Sequence, residues 1–405
     1  MDTQFQKKRF LLCAAHDGNA INGIAPVAQE LKRRGHEVLI LLQQHRTAAL
    51  NFSQGERLAE VLRGMKVQID AAVPEELLTM DAVILATSTP LGENLEITTL
   101  REARQRNIPA YAVEEVVGGR HNPSWRDHLS WLTALFAPLP EAGFKDCPEV
   151  VVGPTVLSRW RSVSVESLAA QARVKLELTN DQPVIYFFPS PSREAPAALH
   201  ILGRVLAHMR EQGRLPSQTV FLLNRHRREM TETARVPGNA GGFHSGLHYI
   251  AEVAGLKVFD NSSEYDTLPP SDQRKPLSCF RPPNFLDYME MLAITANNGA
   301  ALTFYGTDAQ MVAPYLAVAG LFPILWLDPQ LGGRMLQQEK QMAKFNLPHL
   351  AQPTTDQELI TQLSIACAGA NERYECCQEM ARMYQFPKHE PAVLIVDAIL
   401  KQLIS

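Results

Sequence analysis

The sequence predicts an α/β protein made of two Rossmann-like, doubly wound domains in series. Three observations carry this. Short, continuously apolar runs rich in Val, Ile, Leu and Phe alternate with stretches whose apolar residues recur at helical spacing. The apolar runs lack the in–out alternation of a half-exposed sheet, so they read as parallel strands covered on both faces. The series occurs twice, with a break near Val150. Open parallel sheets bind ligands outside the carboxyl ends of their strands, so two such domains are expected to face a shared cleft.

Each element has a local reason. Residues 9–15 form the first buried strand. In 22–34, Ile24, Val27, Ala28 and Leu31 share a helical face. Gly35 ends that helix, and Lys32, Arg33 and Arg34 suit its negative end. Strands follow at 36–42, 81–87 and 108–113, with a helix near 95–106. The second series has strands at 183–188, 219–223, 300–304 and 323–327, and helices at 195–212, 284–296 and from Asp308. From about Gln330 the chain reads as mostly helical. Residues 225–283 hold Pro, Gly, Asn and Ser clusters with little periodicity, and read as a long irregular segment of functional use. The expected division is an N-terminal domain at 1–150, a second domain at 151–385, and a helix at 386–405 returning to the first.

Composition narrows the function. Among 405 residues, 39 Lys and Arg face 43 Asp and Glu, for a net charge of −4, which argues against a general nucleic-acid binder. No apolar run approaches the roughly 20 residues of a membrane span, which leaves only peripheral membrane contact open. The six cysteines include no C-x-x-C pair, so neither a disulfide framework nor a structural zinc site is expected. The polar start, reaching His16 and Asp17 soon after a short apolar run, does not read as a secretory signal. A cytoplasmic location is the expectation.

Candidate chemistry gathers in the loops that leave strands. After the first strand come His16, Asp17, Gly18, Asn19 and Asn22. Small polar residues there let a ligand approach the backbone, and His16 or Asp17 can act as a base. The same loop also reads as an ordinary turn with Asn19 or Asn22 as helix cap. It lacks the G-x-G-x-x-G pattern, so a nicotinamide enzyme loses support. Glu114 and Glu115 leave the strand at 108–113, and Gly118-Gly119 turns the chain so that Arg120 and His121 come back toward them. This segment reads either as a solvated charged loop or as a substrate-facing loop with an acid–base group. Ser190, Ser192 and Arg193 follow the strand at 183–188, where hydroxyls, a helix start and a guanidinium suit a phosphate. Tyr305, Gly306, Thr307, Asp308 and Gln310 follow the strand at 300–304 and suit close approach and a sugar hydroxyl. Residues 225–228, Arg-His-Arg-Arg, can attract phosphate but read first as a solvated basic run.

These segments resemble the glycosyltransferase-B superfamily, and within it the UDP-N-acetylglucosamine 2-epimerase and lipid-A-disaccharide synthase group. Ile24 to Leu31 is similar to the first epimerase helix. Val113-Glu114-Glu115, then Phe136-Ala137-Pro138, is similar to their strand, acidic loop and "FAPT" stretch. Val151 to Val156 is similar to the "TGNTV" lead-in to the second domain, and Pro189 to Arg193 to the "PGSR" loop of the synthases. Phe285 to Leu292, with Tyr305 to Ala319, is similar to the donor-binding "DSGG..EE" region. The "GTRPE" loop corresponds to 16–20 without its arginine, and "HVEAG" to 112–116 without its histidine.

The resemblance implies a glycosyltransferase that takes a nucleotide-diphosphate sugar and an unidentified acceptor, with no separate cofactor. Metal independence is read from the lack of an Asp-x-Asp motif. The catalytic candidates are His16, Asp17 and Glu115. Gly18, Asn19, Asn22, Glu114, Arg120 and His121 are the substrate-side candidates. Ser190, Ser192, Arg193, Tyr305, Gly306, Thr307, Asp308 and Gln310 are the nucleotide-side ones. A sugar-nucleotide 2-epimerase or hydrolase, and a catalytically silent binding protein on the same fold, are the alternatives.

Overall fold

In the computed structural model the described residues are 6–15, 23–43, 62–69, 73–87, 94–114, 118–155, 160, 163–189, 195–225, 239–261, 277–296, 298–304, 316, 320–326, 353–368, 370–383 and 389–404. They form two compact units. One comprises Met1–Ser162, Gln341–Asn346 and Phe386–Ser405; the other comprises Val163–Lys340 and Leu347–Gln385. In chain order the first stretch supplies β1 (Arg9–Ala14), α1 (Ala25–Arg33), β2 (Glu37–Leu42), β3 (Lys66–Ile69), β4 (Ala82–Ala86), α2 (Leu95–Gln105), β5 (Ala110–Val113), α3 (Pro123–Arg126), β6 (Ala134–Ala137) and β7 (Glu149–Val151). The second supplies α4 (Val165–Lys175), β8 (Val184–Phe187), α5 (Ala195–Glu211), β9 (Val220–Leu223), α6 (Asn239–Glu252), β10 (Lys257–Asp260), α7 (Tyr288–Ala293), β11 (Gly299–Phe304), β12 (Pro323–Trp326), α8 (Asp356–Ala368) and α9 (Ala370–Met383). The last helix, α10 (Pro391–Gln402), belongs to the first unit.

Both sheets are parallel, in the orders β3-β2-β1-β4-β5-β6-β7 and β10-β9-β8-β11-β12. The α/β class with doubly wound sheets read from the sequence is the observed one. Each sheet grows outward in both directions from a central strand, so each has one point where the chain order reverses. In the first sheet this lies between β1 and β4, and in the second between β8 and β11.

The first sheet is buried on both faces. Phe10, Leu12 and Ala14 of β1 pack into a core shared with α1 and α10, while Leu11 and Cys13 pack into the opposite core with α2 and Trp125. This is why β1 reads as a continuous apolar run. The α10 helix contributes Ile395, Val396, Ile399 and Leu400 to the first core, with an Arg34–Asp397 ion pair of 2.6 Å at its rim. Asn94 caps α2, its Oδ1 accepting from the N–H groups of Glu96 and Ile97. The α1 helix starts with Ile24 at its cap position and Pro26 in its first turn; Asn19 and Asn22, read as possible caps, lie outside the described residues.

The segment 225–283 departs from expectation. It holds α6 and β10 rather than continuous irregular chain. Glycines that lower the helical propensity of α6 are what its packing needs. A Cβ on Gly246 would lie 2.9 Å from Leu199 Cδ2 of α5, and one on Gly203 of α5 would lie 2.9 Å from Tyr249 Cδ1 of α6. Strands β3 and β7, short and partly polar at the margins of the first sheet, and the four-residue β6 inside it carry no long apolar run either. The predicted helix at 284–296 is shorter, and α7 begins after a capping box of Asp287 and Glu290.

At the amino edge of the second sheet, two buried arginines tie elements together through carbonyls. Arg173 donates to the carbonyls of Thr179 at 2.7 Å, Gln182 at 2.9 Å and Ile294 at 3.1 Å, and to Asn298 Oδ1 at 2.9 Å. Arg373 donates to Thr295 O at 2.9 Å. Beside them Gly299 opens β11 at φ +138°, with Val184 O 2.1 Å from where a Cβ would stand.

Two outcomes are expected. Gly299→Ala combines a left-handed-side φ with a backbone clash, so it should destabilise the protein by about 3 kcal/mol or more in urea unfolding. His36, buried at the start of β2, accepts the Lys8 N–H on Nδ1 at 3.2 Å, which only the unprotonated ring can do. Burial, then the Arg34 charge, holds its pKa below the ordinary value. The unfolded chain therefore takes up a proton first, and stability should fall as pH drops below about 6.5. Denaturation midpoints of wild type and His36→Gln between pH 7.5 and 5 check this; the variant should lose less over that range.

Candidate functional site

Every strand of the first sheet points its carboxyl end at the same edge, and polar side chains collect there. Glu114 immediately follows β5; its N–H donates to Phe136 O at 2.9 Å, continuing the ladder one residue. Its side chain is fully buried beside the equally buried Arg120. The Arg120 backbone N–H donates to Glu114 Oε1 at 2.9 Å, and Nη2 donates to Oε2 at 2.6 Å. Nε adds contacts of 3.2 and 3.1 Å to the two oxygens. One ion pair thereby ties the end of β5 to Arg120.

Arg120 extends further. Its Nη1 bonds Glu149 at the start of β7 and stands 3.6 Å from Glu141, and the Phe144 ring lies 4.5 Å from Cζ. Burial alone would weaken the protonated guanidinium, but Glu114 and then Glu149 outweigh it and hold the pKa above its ordinary value. His121 Nε2 is 2.9 Å from both oxygens of Glu141. Nearby, burial pushes the Cys147 thiol up to about 11 despite the Arg120 charge.

The turn is shaped by its glycines. Gly118 adopts φ +89° as it leads into the short helical turn Gly119–His121. A Cβ on Gly119 would stand 2.5 Å from Thr87 Oγ1. Asn122 Nδ2 donates to Thr87 O at 3.1 Å, tying this turn to the end of β4. On the other side, buried Glu96 accepts the Ala15 N–H at 2.8 Å and Trp125 Nε1–H at 3.3 Å, which ties the end of β1 to α3. The ends of β1, β4 and β5 are thus joined by one connected set of buried polar bonds.

Of the residues singled out in the sequence, the structure brings Glu114, Arg120 and His121 together. Their geometry differs from a substrate-facing surface: Glu114 and Arg120 are buried against each other, and His121 is engaged with Glu141. His16, Asp17, Gly18, Asn19, Asn22, Glu115, Ser190, Ser192, Arg193, Tyr305, Gly306, Thr307, Asp308 and Gln310 lie outside the described residues. Their anchors are described. The first loop leaves β1 at Ala15, and Glu115 follows Glu114. The two remaining loops leave β8 and β11, which pair directly in parallel; the Phe188 N–H donates to Leu302 O at 3.0 Å. Both second-sheet loops therefore start at the order-reversal point.

Sequence reading missed Glu96, Glu141 and Glu149. Each reads locally as a surface acid, and only the tertiary fold buries it toward a donor. Arg225, read as part of a solvated run, is buried and pairs with Asp260 at 3.0 Å, joining the ends of β9 and β10. Among the described residues no group of three or more His, Cys, Asp or Glu is arranged to hold a metal ion, and no helix is long and apolar enough to cross a membrane.

No family model matches the chain, and no curated protein matches it. Solved structures do. A UDP-GlcNAc 2-epimerase from Neisseria meningitidis, bound to UDP-GlcNAc, is similar over 97% of this chain and 100% of its own, at 13% identity and a TM-score of 0.58. A glycosyltransferase from Rickettsia africae is similar over 99% and 100%, at 11% identity and a TM-score of 0.54. The wall teichoic acid polymerase TagF is similar over 98% of this chain and 89% of its own, at 12% identity and a TM-score of 0.53. The chain therefore has the glycosyltransferase-B fold, as its sequence pattern implied.

Arg120→Met should destabilise the first unit by about 3–5 kcal/mol, because it strands a buried carboxylate. Adding Glu114→Gln should recover part of that loss. Chemical denaturation of the single and double variants checks this; strictly additive losses would mean the two side chains are not coupled.

Proposed function

We propose that the protein is a metal-independent glycosyltransferase that uses a nucleotide-diphosphate sugar. The observation that carries this reading is the parallel pairing of β8 with β11 at the point where the second sheet reverses order. Ligands of doubly wound sheets bind at that point. The two connections leaving it carry Ser190, Ser192 and Arg193 on one side, and Tyr305, Gly306, Thr307, Asp308 and Gln310 on the other. These residue types suit a diphosphate and a sugar. The 17-residue helix α5, which follows the first connection, adds its positive end.

In this mechanism Arg193 and the backbone N–H groups stabilise the charge that builds on the departing diphosphate, which is the main source of rate. The acceptor hydroxyl loses its proton to a base of the first unit: His16, Asp17 or Glu115. Glu114 is not assigned that task, because its carboxylate is spent on Arg120. That burial also counts against epimerase chemistry that needs a free acid–base group at this position.

A thermal-shift screen against nucleoside diphosphates and nucleotide sugars is the first test, since a ligand bound only by the native state raises the midpoint. Diphosphate release should then depend on an added acceptor. Interconversion of a sugar nucleotide without acceptor would point to an epimerase instead, and binding of neither would point to a silent scaffold. Arg193→Ala should weaken diphosphate binding by about 1.5–3 kcal/mol in calorimetry. His16→Ala should lower turnover at saturating donor by about 10²–10⁴-fold; a loss under about tenfold moves the assignment to Asp17 or Glu115.

A further inference from the structure

The second unit carries a nucleophile–base–acid series that the proposed transfer reaction does not use. Cys279 lies in the short helical turn Leu277–Phe280, and its Sγ is 3.9 Å from Nε2 of His248 on α6. The other ring nitrogen, Nδ1, is 3.3 Å from Glu252 Oε1, one turn further along α6. With Nδ1–H donated to Glu252, Nε2 carries the lone pair and faces the thiol. The Phe280 ring, next to the cysteine, packs edge-on against the imidazole with centroids 4.9 Å apart, which fixes the ring plane. A nucleophile in reach of a base that a third group orients is the general arrangement of an activated thiol.

Exposure sets this thiol apart. Cys13, Cys367 and Cys377 are buried, Cys147 and Cys376 are half-buried, and Cys279 is exposed. Arg281, two residues on, is also exposed and offers a positive charge to an anionic partner. The thiol is open to solvent, which fits exchange with a small molecule.

We propose that Cys279 is a thiol-exchange site that forms a mixed disulfide with a low-molecular-weight, anionic disulfide. The thiol proton passes to His248 Nε2 as the sulfur attacks one sulfur of the disulfide. A protein–ligand S–S bond forms and the original S–S bond breaks. The departing half leaves as a thiolate and takes the proton from the imidazolium. The protein thiol is oxidised, the released half is reduced, and no further oxidant is consumed. His248 touches the reacting atom, and Glu252 is a positioning residue.

The test treats the full-length native protein with oxidised glutathione and follows adducts by intact mass and peptide mapping. The expected result is one rapid adduct, on Cys279, absent in Cys279→Ser. His248→Gln should slow its formation by about tenfold or more. Glu252→Gln should change the pH profile of the rate without moving the melting temperature, and Glu252→Asp should restore it in part. Preferential modification of another cysteine, absence of any adduct, or a rate indifferent to His248→Gln would overturn the proposal. An unchanged pH profile in Glu252→Gln would remove Glu252 from it.

Discussion

A sheet covered on both faces has nowhere to place a charge except at the ends of its strands. That constraint organises this chain. Along β1 both side-chain directions are filled with apolar groups, so neither face tolerates a polar substituent. Charged and hydrogen-bonding side chains are pushed to the edges. Glu114, Glu96 and the Arg225–Asp260 pair stand where strands end, and Arg173 and Arg373 stand where β8 and β11 begin. The separation of structural from chemical residues follows from sheet coverage before any particular ligand is considered.

The buried arginines show two ways of meeting the cost of an interior cation. Arg120 is surrounded by carboxylates, and its protonated form is held more firmly than in water. Arg173 and Arg373 are satisfied mainly by carbonyls, and burial lowers the pKa of each below its ordinary value. Carbonyl dipoles accept the hydrogen bonds but cancel little net charge. These two sites therefore act as geometric cross-links, joining α7, β8 and β11, whereas Arg120 makes an electrostatic one. The difference suits their places: the carbonyl-bound arginines hold the amino edge shut, while at the carboxyl edge the ion pairs join the end of β5 to the start of β7.

The fold class was largely legible because fully buried strands leave a clear trace: residues 10–15, 82–86 and 184–187 are apolar on both faces. What escaped notice was structure whose cause is a neighbour. Gly246 weakens the helical signal of α6 where α5 presses against it, so the local sequence argues against a helix. The candidate site reads as a set of loops, because in parallel sheets chemistry belongs to the connections that leave the strands. The role of each residue was not. The Gly118-Gly119 turn says that Arg120 comes back toward Glu114 but not that the two are buried against each other, and nothing near Glu149 says that β7 will carry it to the same guanidinium.

The placement of α10 bears on how the chain is made. The unit that leaves the ribosome first lacks part of its own core until Ile395, Val396 and Ile399 have been synthesised, whereas the second unit is nearly contiguous in sequence. Domains commonly fold in order of emergence. Here that order is inverted at its last step: the first sheet must wait, with part of one apolar face uncovered beside α1, through translation of some 240 further residues after Ser162. At about 5–20 residues per second that is tens of seconds or less of exposure. During that interval the nascent first unit offers a surface suited to a chaperone or to misassociation, and α10 is the element that withdraws it.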